Sequence, residues 1–302
     1  MRGRFAPSPT GQLHLGNLRT ALVSWLQARA AGGEWLVRME DLDAVTASRM
    51  HESEQLRSLA ALGMQPDGEV VRQSERFDLY RDAISTLRGQ GRVYECFCTR
   101  REIREAAQAP HGDLPDAAYP GTCRTLTVKR RAALAAGGRQ PALRLGANGE
   151  RFFVHDLIAG DYAGISDDFV LQRNDGVPAY NLAVVVDDAL QGVTHVVRGD
   201  DLLSSTPRQC LLQQLLGLAA PVYAHVPLVL APDGSRLAKR HGAVTLEDLA
   251  ARGVGPERVL SRLAASLGLC APDETVTAEE LVKRFQIDTV PREPQSLGAD
   301  DL

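Results

Sequence analysis

Residues 4–17 have the sequence RFAPSPTGQLHLGN, and this stretch decides the fold that we expect. An apolar segment over residues 3–6 enters a loop rich in proline and glycine, and an amphipathic helix is predicted over residues 16–31 directly afterwards. The N-terminus of a helix suits a triphosphate, because backbone N–H groups and the positive end of the helix dipole face it. His14 adds a side-chain donor, and Gly16 lets a ligand approach the backbone closely. The stretch therefore predicts an ATP site.

The segment that follows completes a parallel β-α-β unit. Trp35–Met39 is a short apolar run that predicts a second strand, and two parallel strands joined by a helix are typical of nucleotide-binding folds. Glu40, Asp41 and Asp43 come directly after this strand. Because ligands of open α/β sheets bind beyond the carboxyl ends of the strands, these acids are candidates to contact a ligand, although they could instead cap the next helix.

The remaining pattern continues the alternation of strands and helices. Thr206 and Pro207 predict a helix start, with Thr206 as the N-cap and Pro207 at the first position. Residues 105–121 are rich in Ala, Pro, Gly and Asp and are predicted to be irregular. The other predicted elements are helices over Thr46–Leu62, 76–92, Tyr180–Leu190, 245–252 and 256–268, strands over Val93–Phe97, Val193–Arg198 and Val226–Leu230, and a turn at Asn174–Gly176 between strands Phe169–Gln172 and Val177–Tyr180. The chain is therefore expected to be an α/β protein with a Rossmann-type parallel sheet.

Composition excludes several classes of protein. With 44% hydrophobic residues among 302, the chain can bury a sizeable core, and global disorder is excluded. The net charge of −4 does not indicate a nucleic-acid binder by itself, although a basic face can coexist with an acidic total. Basic residues are dense at 129–131 and at 236–240, where a solvated surface is the alternative interpretation. We expect a cytoplasmic protein, because we find no apolar run of membrane-spanning length, no signal-peptide pattern and no disulfide framework.

Three of the five cysteines are clustered in the sequence. Cys96 and Cys98 are separated by one residue, and Cys123 follows after a loop. Thiolates suit zinc, which prefers four tetrahedral ligands, so the cluster predicts a metal site. The alternative is two reduced core cysteines and one unrelated cysteine.

Two motifs together resemble the signatures of class I aminoacyl-tRNA synthetases. They are His14-Leu15-Gly16-Asn17 and the basic loop Arg236-Leu237-Ala238-Lys239-Arg240. The resemblance implies that His14, Gly16 and Lys239 are catalytic and that the same three residues and Asn17 bind ATP with Mg²⁺. Positioned N–H groups, a histidine and a lysine can stabilise charge that develops on phosphate oxygens, and Lys239 would hold the leaving pyrophosphate. Ala238 and Arg240 stand where the family has serines, which removes two hydroxyl donors.

Three runs, at residues 4–11, 38–43 and 181–188, resemble the glutamyl branch of these synthetases. The resemblance implies a glutamate site built from Arg4, Phe5, Ala6, Pro7, Ser8, Glu40, Tyr180 and Arg198. Arg4 and Arg198 would pair with carboxylates, Glu40 would receive the α-ammonium, and Tyr180 would add a hydroxyl donor. The alternative for both arginines is a structural salt bridge with Glu40 or Asp200.

The resemblance covers about residues 3–245 and is closest to the glutamyl-Q tRNA(Asp) synthetases, truncated paralogues of glutamyl-tRNA synthetase. Only 62 residues follow Arg240, too few for a helical anticodon-binding half, and Val184 stands where discriminating synthetases tend to have Asn. The resemblance implies a monomer that activates glutamate with ATP without needing tRNA. It would then transfer glutamate to the cyclopentene-diol of queuosine at the wobble position of tRNA(Asp).

The resemblance also bears on the metal site. Glutamyl-type synthetases often carry a His just after the third Cys, where this chain has Arg124. Tyr119 matches the Tyr of a shorter relative and would be the fourth ligand of one structural Zn²⁺, with His111 as the competing candidate. A bound cation lowers the pKa of a phenol and so permits a phenolate ligand.

The domain organisation that we expect has four parts. Residues 1–92 and 179–243 would form the two Rossmann halves, 93–178 an inserted zinc-binding, acceptor-like subdomain, and 244–302 a short helical C-terminal region that contacts the stem. Residues 240–243 look more like full-length glutamyl-tRNA synthetases, so a truncated or diverged glutamyl-tRNA synthetase is the second hypothesis. An inactive RNA-binding paralogue is a third, disfavoured by the intact motif residues. A nucleotidyl transferase would leave the glutamate-site residues and the cysteines without a role.

Overall fold

The computed structural model describes residues 1–107, 118–230 and 244–297. Within these ranges the strands are β1 (Arg2–Phe5), β2 (Glu34–Met39), β3 (Val71–Arg72), β4 (Val93–Cys96), β5 (Ala142–Leu145), β6 (Arg151–Asp156), β7 (Gly160–Ile165), β8 (Phe169–Gln172), β9 (His195–Gly199), β10 (Val222–Val226), β11 (Val229–Leu230) and β12 (Gln295–Ser296). The α-helices are α1 (Leu15–Ala30), α2 (Arg49–Ala61), α3 (Phe77–Gly89), α4 (Arg100–Ala107), α5 (Val128–Ala136), α6 (Tyr180–Leu190), α7 (Thr206–Leu216), α8 (Leu246–Ala250), α9 (Pro256–Ala265) and α10 (Ala278–Arg284).

A mostly parallel seven-stranded sheet forms the centre of the fold. Its strand order is β3-β2-β1-β9-β10-β6-β7, and only the β6–β7 pair is antiparallel. Gly3 on β1 lies opposite Trp35 on β2 and His195 on β9, so the first strand is central. The chain leaves β1 toward one side of the sheet and returns to β9 on the other side. The carboxyl ends of β1 and β9 therefore meet at a topological switch point, where open α/β sheets bind their ligands. The expected Rossmann-type fold is confirmed.

Residues 93–178 contribute to two sheets. Strands β4, β5 and β8 form a separate antiparallel sheet, whereas the β6–β7 hairpin extends the edge of the main sheet by pairing with β10. The seven-stranded sheet thus includes strands from the region that we expected to be a separate insertion.

The C-terminal helices pack on α1. Leu260, Leu263 and Leu281 belong to the same buried cluster as Leu18 and Leu22 of that helix. Arg19, which is fully buried, donates to the carbonyl of Pro227 at 3.0 Å and to the Ser266 hydroxyl at 3.1 Å. β11 pairs with β12 near the end of the described chain. The C-terminal region therefore supports the helix that carries the predicted ATP loop.

The structure corrects the predicted strand after α7. The strand in the sheet is Val222–Val226, which pairs with His195–Gly199, whereas Val229–Leu230 pairs with β12 in another sheet. Val226 is the last residue of the strand in the main sheet, whereas Val229 and Leu230 form the strand that pairs with β12. Sequence periodicity does not show where one strand ends and the next begins in this apolar run.

Three local predictions also need correction. Ser205, and not Thr206, is the N-cap of α7, because Thr206 already has helical backbone angles, and its hydroxyl accepts from Arg198. Beyond the turn at residues 174–176 only a bridge between Gln172 and Pro178 forms, since Pro178 has no N–H to donate and α6 begins at Tyr180. Residues 105–107 belong to α4 and are not irregular.

Among the described residues, no helix combines the length and the apolar character needed to cross a bilayer.

Candidate active site

A cavity of about 680 Å³ opens at the carboxyl ends of β1 and β9. One end lies at the N-terminus of α1, and the other is lined by charged side chains from β1, β2 and β9. The predicted site residues that line it are Arg4, Phe5, Ala6, Pro7, Ser8, His14, Gly16, Asn17, Glu40, Tyr180 and Arg198. Lys239 and its neighbours Arg236, Ala238 and Arg240 lie outside the described residues.

His14 lines one end of this cavity as the N-cap of α1. Its Nδ1 accepts from the Asn17 amide at 3.3 Å, while the Asn17 side-chain oxygen accepts from the His14 amide at 3.3 Å. Because Nδ1 is an acceptor, the proton of the neutral ring sits on Nε2, which makes that atom a donor. A Cβ on Gly16 would lie 3.0 Å from the His14 ring. Glycine at position 16 therefore leaves space for the histidine.

The helix N-terminus offers fewer amides to a ligand than the sequence predicts. The Leu15 amide donates to the carbonyl of Val244 at 3.1 Å, and the Asn17 amide is taken by His14. The amide of Gly16 has no acceptor among the residues that the structure describes. The C-terminal region thus holds the loop in place, and His14 bridges to Thr245 as well.

Arg198 lies at the charged end of the cavity, where we expect the amino acid, and is only 5% exposed. Its Nε donates to His225 Nε2 at 2.9 Å, and its other nitrogens donate to Gln209 at 2.7 Å and Thr206 at 3.0 Å. The Tyr180 hydroxyl lies 3.5 Å away. Each of these partners is neutral, and within the described part of the chain Arg198 forms no ion pair. A buried guanidinium without an adjacent anion is costly, which favours a site for a carboxylate ligand.

Arg4 has a different environment, although it faces the same cavity. Its Nε and a terminal nitrogen lie 3.2 and 3.4 Å from the Asp188 carboxylate, and a second nitrogen donates to the carbonyl of Val197 at 3.2 Å. Arg38 also donates to Asp188, at 2.7 Å. Burial alone would raise the pKa of Asp188, but Arg4 and Arg38 outweigh burial and lower that pKa. The structural ion pair weighed for Arg4 thus exists, with Asp188 as its acid and not Glu40 or Asp200.

Glu40 comes directly after β2 and lies 3.4 Å from a terminal nitrogen of Arg38. Burial raises the pKa of Glu40, and Arg38 and Arg4 only partly offset this effect. An ammonium group bound against Glu40 would favour the charged carboxylate. Burial likewise raises the pKa of Tyr180, so its hydroxyl remains a donor near neutral pH.

Sequence reasoning missed several residues that shape this end of the cavity. Asp188 lies inside a run that we quoted but was given no role. His225 had one weak signal, as a polar residue inside the apolar strand Val222–Val226. Gln209 and Thr206 contact Arg198 from α7; no motif marks Gln209, and Thr206 was predicted only as a helix cap.

A second cavity, of about 960 Å³, shares Ser8, Glu40 and Tyr180 with the first. It extends from these residues to the cysteine cluster and is bordered by the antiparallel sheet. Four arginines line it, at positions 100, 139, 144 and 173. The two cavities therefore meet at the predicted ammonium site.

The cysteine cluster is assembled as predicted. The sulfur atoms of Cys96, Cys98 and Cys123 all lie within 4.8 Å of one another, close enough to hold a metal ion. The Tyr119 hydroxyl lies 3.4 Å from Cys96 Sγ and 3.5 Å from Cys98 Sγ, and it accepts from the Cys123 amide at 2.9 Å. Burial raises the pKa of Cys98 to about 12, an effect that a bound cation would reverse. This donor set fits zinc, while the alternative ligand His111 lies outside the described residues.

Comparison with known proteins gives one consistent group of relatives. The model of the family "tRNA synthetases class I (E and Q), catalytic domain" matches residues 1–302. The chain is 57% identical over 300 residues to a glutamyl-Q tRNA(Asp) synthetase of Nocardia farcinica, with 99% of this chain and 94% of that protein covered. It is 42% identical over 305 residues to a glutamate–tRNA ligase of Oleidesulfovibrio alaskensis, with 99% of this chain and 64% of the ligase covered.

A search of solved structures agrees with the sequence relatives. A glutamate tRNA ligase of Elizabethkingia meningosepticum, solved in complex with its amino acid, superimposes with a TM-score of 0.83 at 29% identity. The alignment covers 100% of this chain and 68% of that one.

Proposed function

Because the chain belongs to the class I tRNA synthetases of the E and Q group and is a ligase-type enzyme, we propose that it activates glutamate with ATP in the absence of tRNA. We further propose that it transfers the glutamyl group to queuosine in tRNA(Asp), both of these steps taking place in the cytoplasm. The observation that carries the first step is the buried Arg198, which faces a cavity shared with the His14 loop and has only neutral partners among the described residues.

In the activation step, one glutamate carboxylate attacks the α-phosphorus of ATP. A new oxygen–phosphorus bond forms, the bond to the β-phosphate breaks, and pyrophosphate leaves. Arg198 would hold the other carboxylate, and Glu40 would hold the α-ammonium. His14 and the Gly16 amide would stabilise charge on the phosphate oxygens, with Lys239 on the pyrophosphate. Mg²⁺ would accompany ATP and neutralise charge on its phosphates.

In the transfer step, a hydroxyl of the queuosine cyclopentene-diol attacks the activated carbonyl, an ester forms, and AMP leaves. The second cavity supports this proposal, because it reaches Glu40 and Tyr180 and carries three exposed arginines, Arg100, Arg139 and Arg173, that suit RNA phosphates. The relatives that the chain matches over nearly their whole length carry the name of this activity.

The activation step is tested by ATP–pyrophosphate exchange without tRNA. We expect exchange with glutamate and none with glutamine, which lacks the second carboxylate. A folded protein that shows no glutamate-dependent exchange in the presence of Mg²⁺ would contradict the proposal and favour an inactive paralogue or an enzyme that requires tRNA.

The acceptor is tested with two RNAs that separate the wobble base from the 3′ end. An anticodon stem–loop of tRNA(Asp) that contains queuosine, but has no CCA end, should accept labelled glutamate. Full-length tRNA without queuosine should not. The reverse result would identify a diverged glutamyl-tRNA synthetase.

We propose that Cys96, Cys98, Cys123 and Tyr119 hold one structural zinc ion. Purified protein should contain about one zinc per chain, and Cys98→Ser should lose most of it because a thiolate ligand is removed. Cys270→Ser, a change outside the cluster, is the matched control and should retain zinc. Unchanged zinc content in Cys98→Ser would refute the site. Unchanged zinc content in Tyr119→Phe would show only that the phenol is not a ligand.

A further inference from the structure

The Arg198 side chain contacts the buried imidazole of His225. His225 has no solvent exposure, and its Nε2 lies 2.9 Å from Arg198 Nε. Arginine nitrogens can only donate, so Nε2 must be the acceptor in this contact. The geometry therefore requires the proton of the ring to reside on the other nitrogen.

That other nitrogen faces a carboxylate that can only accept. His225 Nδ1 lies 2.6 Å from Oδ2 of Asp156, whose side chain is also buried. Oδ1 of Asp156 accepts from three backbone amides, those of Ile158, Ala159 and His225, at 2.8–3.0 Å. A carboxylate with this many donors remains ionised. Both neighbours of His225 thus select one form of the ring, neutral with the proton on Nδ1.

We propose that Asp156 and His225 are positioning residues for the substrate carboxylate: they fix the Arg198 guanidinium at the cavity and link its charge to a buried anion through a neutral imidazole. This inference rests on the proposed role of Arg198 in binding glutamate. The chain of contacts runs from Asp156 on β6 through His225 on β10 to Arg198 on β9, so three adjacent strands set the orientation of one side chain. Gln209 and Thr206 fix its other nitrogens from α7.

The arrangement explains why a histidine is needed where an apolar residue would pack. Direct contact between Asp156 and Arg198 would form a closed ion pair, as Asp188 does with Arg4, and would compete with a ligand. With a neutral ring between them, Asp156 still fixes the orientation of the Arg198 side chain. Arg198 can then pair with a carboxylate in the cavity.

Two amide variants of His225 separate these contacts. His225→Asn keeps an N–H near the position of Nδ1 and loses the acceptor for Arg198. His225→Gln reaches the position of Nε2 and keeps an acceptor there, but loses the donor to Asp156. Both variants lose one of two buried hydrogen bonds, so their thermal stabilities should fall by similar amounts.

The readout is ATP–pyrophosphate exchange with the full chain, measured as KM for glutamate and for ATP separately. We expect His225→Asn to raise the KM for glutamate by about 10- to 100-fold, in line with a lost hydrogen bond to a charged group. The KM for ATP should change by less than about threefold, and His225→Gln should keep the glutamate KM within about fivefold of the wild type. Equal glutamate KM values in the two variants would overturn the proposal.

A measurement on the unmodified protein covers the case in which neither variant folds. Nitrogen-15 NMR of labelled histidine should show His225 as the neutral Nδ1–H form at pH 7, and glutamate should shift its Nε2 resonance. A charged ring or the Nε2–H form would refute the positioning role. If the wild type shows no glutamate-dependent exchange at all, the proposed function fails, whereas the ring's tautomer still decides how His225 contacts Arg198.

Discussion

Two arginines, Arg4 and Arg198, lie at neighbouring strand ends and face the same cavity, yet their surroundings are opposite. Arg4 shares the carboxylate of Asp188 with Arg38, in a cluster where buried charges are balanced within the protein. Arg198 is surrounded by an imidazole, an amide and hydroxyls. Sequence reasoning gave both arginines the same role. The difference supports the proposal that Arg198 binds a carboxylate ligand, whereas Arg4 and its partners form the wall of the site.

The largest effect is expected from breaking the balanced cluster. Arg38 is fully buried and lies 2.7 Å from Asp188, 3.4 Å from Glu40 and 3.7 Å from Asp187. Arg38→Met would leave these acids buried without their shared cation, which typically costs about 3–5 kcal/mol in the free energy of unfolding. Denaturant unfolding measures this loss, and thermal unfolding should occur about 10 °C lower.

Arg49→Met is the control for that prediction. Arg49 pairs with Glu52 and Glu75, but its side chain is 62% exposed, so the expected change is below about 1 kcal/mol. If both variants lose similar stability, the balanced cluster does not stabilise the wall of the site.

The next effect concerns Arg198 and should appear mainly in catalysis. Arg198→Ala should lower kcat/KM for glutamate in pyrophosphate exchange by about 10²- to 10³-fold, because a buried charged partner of the substrate is lost. Thermal stability should fall less than in Arg38→Met, because removing a buried cation without an adjacent anion partly offsets the loss of its hydrogen bonds to His225, Gln209 and Thr206. Arg198→Lys keeps the charge but not the planar fork, and should recover only part of the activity. Near-normal kinetics for Arg198→Ala would show that the cavity binds its substrate elsewhere.

The smallest expected effect is a pH dependence of the free energy of unfolding, which arises from the neutral His225 beside Arg198. Burial lowers the pKa of His225, with Arg198 adding to this and Asp156 and Asp200 opposing it, while the Tyr223 ring stacks beside it. The unfolded chain therefore binds a proton that the folded chain excludes once the pH falls below about 6.5. Stability should decline as the pH falls through this range, by at most about 1.4 kcal/mol per pH unit for one proton.

His225→Gln should remove that part of the decline and reduce a second part at lower pH, because Asp156 loses the hydrogen bond from the imidazole and keeps those from the backbone amides. Burial opposes ionisation of Asp156, but its bonds from His225 and from backbone amides lower its pKa to about 2. Its contribution to stability is present above the unfolded value of about 3.9 and is lost as the pH falls toward 2. An unchanged slope between pH 6.5 and 5 in the variant would mean that His225 is already charged in the folded protein.

Local sequence signals predicted the parallel sheet and the loop before α1, and they placed Glu40 beyond a strand end, where ligands of such sheets bind. The convergence of Arg4, Glu40, Tyr180 and Arg198 on one region was implied only by the resemblance to the glutamyl branch. The metal cluster was also accessible, since cysteine spacing is a local signal. The roles of the individual residues stay predictions, and that of Lys239 falls outside the described chain.

The charge balance of the site could not be read from the sequence. Asp188 is 184 positions from Arg4, and His225 is 69 positions from Asp156, so no short-range pattern joins these pairs. The displaced start of β10 has a similar cause, because the pairing of Val222–Val226 with β9 places this strand.

The most direct test of the contrast between the two arginines is a crystal structure with glutamate bound. We predict a glutamate carboxylate oxygen within hydrogen-bond distance of the Arg198 guanidinium, the ammonium beside Glu40, and the Arg4–Asp188 pair intact. A structure in which Arg4 leaves Asp188 to bind the carboxylate, while Arg198 contacts no part of glutamate, would contradict this account.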